Sequence, residues 1–285
     1  MIHYLRDLDY NSSITPENLS TLIGGDYSLR YQKELAAIEE ISGYLIQRYD
    51  TAREFQPLLN YDNAKAYKSG NRISLTATAY NNGTTYTAGQ RVSYKDGAIT
   101  YIYSSIAGST GTLPTVGASW TRICISEEIF YITYPSLPYD HARAYLKDEK
   151  AVFFDYEFKA RYDLAQGIAP RLPDGSVSPS WVLIGAAATT TGVFVTDATK
   201  WAQADNRSAQ MVMIAVDITL YHIHARINPR NIPELRIQRY DDAKVQLSSF
   251  ASGKLTAMVP QKLILAELPG NPIQWGSNTK NRNIY

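Results

Sequence analysis

Four histidines, one cysteine and scattered carboxylates are the groups from which this chain could build chemistry, and their spacing assembles none. His222 and His224 stand two apart in a segment of helical character. That places them about 200° apart around the axis, so they cannot grip one metal ion as an i, i+4 pair could. Asp241 and Asp242 are adjacent on a helix and point apart, which suits a solvated face beside Arg236, Arg239 and Lys244 rather than an acid–base pair. Gly108-Ser109-Thr110-Gly111-Thr112 has the glycines of a phosphate loop, yet no lysine follows, and the segment lies between strands with no helix to supply amides. The G-x-S-x-G, Walker A and G-x-G-x-x-G patterns are absent from the sequence. His3 and His141 have no cysteine or carboxylate pattern beside them. Cys124 has no second cysteine for a disulfide or a CxxC site and reads as a small buried apolar side chain. The expectation is a protein that is not an enzyme and holds no metal or cofactor.

Charge narrows the partners. Lysine plus arginine total 28 and aspartate plus glutamate 27, so no global field draws the chain onto nucleic acid or an anionic membrane, and any such contact must be local. The one basic concentration is Arg226, Arg230, Arg236 and Arg239 around a late helix–helix junction, with Lys280 and Arg282 in the tail. Such groups suit phosphates without reading sequence. They equally suit ion pairs and fork hydrogen bonds at subunit contacts, because acidic residues are interleaved. The longest apolar run, Met211 to Ile223, is broken by Asp217 and His222 and falls short of the roughly 20 residues a bilayer requires. The first residues show no basic segment followed by an apolar one, so synthesis without secretion is expected. Tyrosines number 22 against 7 phenylalanines, which suits half-buried strands and contact surfaces where a ring packs and its hydroxyl stays wet.

The elements that must position these groups fall in three zones, giving an α+β chain. Residues 1–58 and 205–285 read as one helical domain with an extended C-terminal arm, interrupted by a β-rich insertion over 59–204. Thr15, Pro16 and Glu17 open a helix that stops by Gly24-Gly25. A second is predicted from about Leu29 to Tyr49, with Leu35, Ile38, Ile41, Leu45 and Tyr49 as its packing face. Asn206 to Ile227 is apolar almost all round, as befits the centre of a domain. Pro233-Glu234 then opens a last helix ending at Gly253, antiparallel to its predecessor. In the insertion, Ala151 to Ala165 alternates with period two and predicts one strand. Arg72–Thr78, Gln90–Tyr94, Ala98–Ser104 and Ser180–Ile184 are further strand candidates, with Asn82-Gly83 and Asp96-Gly97 as hairpin turns. Tyr61-Asp62-Asn63-Ala64-Lys65-Ala66-Tyr67 matches Tyr139-Asp140-His141-Ala142-Arg143-Ala144-Tyr145 at five of seven positions, and Ser119-Trp120 is echoed by Ser180-Trp181. Duplication into two modules, 59–127 and 128–204, and convergence on strand-edge chemistry both account for this. The tail from Leu268 has no period, but Trp275 and Tyr285 are aromatic anchors suited to docking on a neighbour.

Several long runs carry a family resemblance. Asp217-Ile218-Thr219-Leu220-Tyr221-His222-Ile223-His224-Ala225-Arg226, Asn228-Pro229-Arg230-Asn231-Ile232-Pro233-Glu234-Leu235-Arg236, Arg239-Tyr240-Asp241-Asp242-Ala243 and Gln274-Trp275-Gly276-Ser277-Asn278 resemble the Mu-like phage family of head–tail connector (adaptor) proteins, in its forms from Bacteroides-type and crAss-like phages. Ala36 to Leu45 and Arg48-Tyr49-Asp50 agree with it too. The resemblance implies a small bundle of about four helices that assembles as a cyclic ring, typically of about twelve copies. Its implied partners are copies of itself, the portal protein, a further neck or tail protein and, through non-specific contact, packaged DNA, with no membrane. Its implied place is the virion neck at the head–tail interface, after assembly in the host cytoplasm. Usual members lack such an insertion, which is expected to decorate the outside of the ring. Within it, Tyr86, Gly89, Val92, Tyr94, Gly97, Tyr101, Pro114 and Trp120 look like the small three-stranded carbohydrate-binding modules of chitinases and phage tail proteins. Tyr86, Tyr94 and Trp120 could stack on sugar or cement the module. The alternative function is therefore a carbohydrate-binding tail or surface protein.

Overall fold

A computed structural model of the chain describes residues 3–97, 99–115, 117–172 and 175–261. Helix α1 (Pro16–Ile23) begins where the Thr15 hydroxyl accepts from the Asn18 amide at 3.3 Å, and it ends at Gly24 in the left-handed conformation. Helix α2 (Tyr27–Leu45) starts earlier than the spacing predicts, because the Asp26 carboxylate caps the Ser28 and Leu29 amides. Its buried face also differs: Arg30, Glu34, Ala37, Ile41 and Leu45 point inward, whereas Leu35 is 43% exposed. The cause is polar. Glu34 accepts from His3 Nδ1 at 2.9 Å and from the Tyr10 hydroxyl at 2.8 Å and pairs with Arg30 Nε at 3.3 Å, so its burial is compensated and fixes the helix rotation.

The short α3 (Thr51–Glu54) leads into strands β1 (Leu59–Asn60), β2 (Arg72–Ser74), β3 (Thr85–Tyr86), β4 (Arg91–Asp96), β5 (Ile99–Ser105), β6 (Ser109–Thr110), β7 (Trp120–Ile125) and β8 (Ile129–Ile132). Then follow β9 (Lys150–Phe153), β10 (Tyr156–Ala160), β11 (Trp181–Ala186), β12 (Trp201–Gln203), α4 (Ala209–Ile227) and α5 (Glu234–Ser252). Gln210 meets Gln246 at 3.5 Å and Asp217 meets Arg239 at 3.2 Å, a pairing that only antiparallel α4 and α5 allow. Met211, Ile214, Val216, Ile218, Leu220 and Ile223 of α4 share one core with Leu19, Ile41, Leu45, Leu247 and Phe250. Each such side chain contributes about 1.5–3 kcal/mol by burial, so the two ends of the chain are held together by their common apolar faces.

Beyond β1, the insertion is three copies of one unit. In each, a tyrosine, an Asx residue and a second tyrosine close a loop: the backbone amides of Asp62, Asn81 and Asp140 donate to the hydroxyls of Tyr67, Tyr86 and Tyr145 at 2.7, 2.8 and 2.6 Å. The paired rings, Tyr61–Tyr67, Tyr80–Tyr86 and Tyr139–Tyr145, stack at 6.0, 5.6 and 5.4 Å. A tryptophan then meets the second ring edge-on, Trp201, Trp120 and Trp181 at 5.3, 5.4 and 5.1 Å. Its indole N–H donates to the carbonyl just after a glycine: Val193 at 3.0 Å, Thr112 at 3.0 Å and Ile168 at 2.9 Å. Each copy carries a three-stranded antiparallel meander, β2-β8-β12, β4-β5-β7 and β9-β10-β11, with β1 added parallel to β2 in the first.

The copies are nested. The second occupies the β2–β8 connection of the first, and the third occupies its β8–β12 connection. Tyr61 and Tyr67 therefore pack on the distant Trp201, while Trp120 belongs with Tyr80 and Tyr86. The run from Ala151 to Ala165 is a hairpin, not one strand: Phe153 pairs with Tyr156 across a turn at Phe154-Asp155. Its alternation misleads because Phe154 and Tyr156 are apolar yet exposed. Asn82-Gly83 likewise makes no hairpin; the Asn81 side chain accepts from the Gly83 amide at 2.9 Å inside the tyrosine loop.

Candidate functional site

The histidines are drawn apart by different neighbours. His222 Nε2 lies 3.0 Å from Glu40, which also accepts from the Tyr240 hydroxyl at 2.9 Å. His224 faces Arg236, and burial together with that guanidinium lowers its pKa below the ordinary value. Among the described residues no three His, Cys, Asp or Glu side chains could hold a metal ion. Cys124 is buried, and burial with the nearby Glu128 pushes its thiol up to about 12, well away from a nucleophile's range.

The strongest polar constellation joins the helical body to the insertion. The Arg207 side chain, 0% exposed, donates to Asp9 Oδ2 at 2.7 Å, to Asp205 Oδ2 at 2.7 Å and to the Tyr4 carbonyl at 2.6 Å. Burial opposes its charge, but the two carboxylates outweigh burial and raise its pKa. One step away, Glu54 accepts from the Tyr4 hydroxyl at 2.8 Å and from the Ser208 amide at 2.8 Å, and stands 3.6 Å from Arg72 on β2. Arg72 Nε also donates to Asn206 at 2.7 Å. The N-terminal segment, α3, the first copy and the start of α4 thus share one buried network. This is a clamp rather than a reaction centre, since each carboxylate is already matched by donors.

The basic residues divide into two kinds. Arg236 is buried and donates to the Ser13 carbonyl at 2.7 Å, and Arg239 donates to the Ser13 hydroxyl at 3.1 Å and pairs with Asp217. Burial, then Arg239, lowers the Arg236 pKa. Arg226 and Arg230 are exposed at the α4–α5 corner and make no ion pair among the described residues. Of the four arginines at this junction, only Arg226 and Arg230 are both exposed and without an ion pair among the described residues. A signal for the difference was present in the chain: Arg236 shares a three- and four-residue spacing with Tyr240, Ala243, Leu247 and Phe250, which is the inward stripe of α5. Trp275, Lys280, Arg282 and Tyr285 lie outside the described residues.

Of the three aromatics that could either stack on sugar or cement the module, Tyr86 and Trp120 are interior. Tyr86 is 7% and Trp120 1% exposed, in one cluster with Val92 and Tyr103, and Tyr94 is half-buried against Tyr80 and Tyr103. A ring enclosed in this way offers no face to a ligand, so Tyr86 and Trp120 cement the second copy. No family model, curated protein or solved structure matches the chain. Among the described residues no helix is long and apolar enough to cross a membrane.

Proposed function

We propose that this chain is a structural subunit of the neck of a tailed phage, forming a head–tail connector ring that binds the portal and passes DNA through its centre. One observation carries the reading. The two stretches that bear the connector resemblance, Ala36 to Asp50 and Asp217 to Ala243, are far apart in sequence yet contribute Ile41, Leu45, Ile218, Leu220 and Ala243 to a single helical core. A body assembled from both ends, with a β-rich insertion clamped to it through Arg207, Asp9, Glu54 and Arg72, suits a part that works through its surfaces.

The mechanism is interfacial. Met213, Leu235 and Val245 are exposed apolar side chains on α4 and α5, available for burial between identical subunits that close a cycle. Arg226 and Arg230 are the groups offered to phosphates, and Trp275 and Tyr285 of the arm are offered to a neighbour. Co-purification with the portal protein of the same phage, followed by electron-microscope imaging, tests the proposal. Rings stacked on the portal are expected. A protein that stays monomeric and unattached when mixed with assembled portal would overturn it.

A further inference from the structure

The three copies act as internal controls for one another, and the third departs from both others at one point and from the second at another, the two points facing one cleft. In the first and second copies the leading tyrosine donates to an asparagine side chain, Tyr61 to Asn63 and Tyr80 to Asn82, each at 3.0 Å. In the third, His141 replaces that asparagine, and among the described residues neither the buried Tyr139 hydroxyl nor His141 Nδ1 has a hydrogen-bond partner. The second departure is in the first hairpin. The second copy turns through Gly97 at φ 64°, as the left-handed region favours, whereas the third turns through Phe154 at φ 52° with 79% of the residue exposed. A strained, solvent-facing phenylalanine where glycine fits is unfavourable for the isolated unit, and such strain points to a role.

His141 and Phe154 line the same cleft of about 530 Å³, between the third copy and α3, whose walls also include Asp50, Gln56, Pro138 and Gln261. Gln261, the last described residue, lies in this cleft. Gln261 bridges to Tyr49, and the Pro260 carbonyl accepts from the Asp50 amide at 2.7 Å. In the sequence that follows, Leu263-Ile264-Leu265-Ala266 is an apolar run between Lys262 and Glu267, Leu268 precedes Pro269-Gly270, and the rest of the tail is mostly polar.

We propose that Leu263 to Leu268 docks in cis along this cleft, with its leucines against the Phe154 ring, so that the root of the tail is anchored and the chain from Pro269 is launched from a fixed point. The exposed ring is then the apolar ground for a segment that emerges beside it, where tethering makes the effective concentration high. The proposal goes beyond the connector reading and does not depend on ring formation.

Amide hydrogen exchange on the full-length protein without portal, at two concentrations tenfold apart, tests it. Residues 262–268 are expected to exchange at least about tenfold more slowly than 276–285, equally at both concentrations. Phe154→Gly, which removes the ring and relieves the strained turn, should abolish that protection without lowering the thermal midpoint. The double variant Leu263→Asp, Leu265→Asp should abolish it from the other side and decides the matter if Phe154→Gly folds poorly. Exchange of 262–268 as fast as the tail end in the unaltered protein would overturn the proposal, as would protection that survives these substitutions. Protection seen only at the higher concentration would assign the cleft to a second copy and overturn docking in cis.

Discussion

Arg207 shows how much one side chain can hold together. It is enclosed, and it binds Asp9 near the N-terminus, Asp205 just before α4 and a backbone carbonyl at Tyr4. Arg207→Met fills similar volume but strands the nearly enclosed Asp9 with only Arg6 for compensation. Breaking a buried pair from one side costs about 3–5 kcal/mol, so urea unfolding should show a loss of about 3 kcal/mol. The pH dependence has a definite sign. Burial pushes the Asp205 carboxyl up, but hydrogen bonds from Arg207 and its charge outweigh burial and hold it below the usual range. A group depressed on folding contributes stability that is complete above its unfolded pKa, about 4, and is lost as pH falls through the folded value. The unaltered protein should therefore lose more stability between pH 5 and pH 3 than Arg207→Met does. Equal losses in urea titrations of both would show that the pair is not coupled to folding.

At the scale of elements, the nested copies differ in how far each depends on its host. The third has its own core, with Tyr139, Tyr145, Phe158, Leu164 and Trp181 in one cluster that contains no residue of the first copy. The second contributes Ile102 and Cys124 to the host's cluster beside Ile73, Leu75, Phe130 and Ile132. Replacing residues 137–186 by a short Gly/Ser linker should leave a cooperatively folded protein. Linkage there is feasible because Ile132 and Thr190 both pair close by, with the Tyr67–Asn71 stretch. Replacing 78–125 should instead uncover the host's interior and lower the thermal midpoint sharply or prevent folding. Calorimetry of the two deletions decides this, and the opposite ranking would refute the shared-core account. The same physics explains what could be read in advance. The caps of α1 and the glycine that ends α5 are local signals and were legible. The rotation of α2 was not, because it follows from Glu34 meeting Tyr10 and His3 across the chain. The threefold nesting was hidden because Trp201 closes on Tyr61 and Tyr67 from far downstream, and because Tyr80-Asn81-Asn82 to Tyr86 keeps little of the first copy beyond its tyrosines and Asx residue.

For the whole molecule the decisive quantity is where charge remains once internal pairing is complete. With 28 basic and 27 acidic residues the chain exerts little net field, so in the proposed ring any affinity for DNA would come from the same few groups repeated around it. Arg236 and Arg239 are committed to Ser13 and Asp217, which leaves Arg226 and Arg230 at the α4–α5 corner. Because these two are exposed, Arg226→Glu with Arg230→Glu should change folding stability by no more than about 0.5 kcal/mol per site. In the proposed ring, however, the double variant would reverse two charges per subunit, and a cyclic array would multiply that change by the copy number. If the corner lines the channel, particles carrying the double variant should still assemble necks but lose packaged DNA faster. That loss should be steepest at low salt, where repulsion is least screened. Arg236→Ala, by contrast, should unfold more readily and leave DNA retention in surviving particles unchanged. DNA release from purified particles at graded ionic strength separates the two. Retention unaltered in the double variant would move the corner from the channel to the outside of the ring.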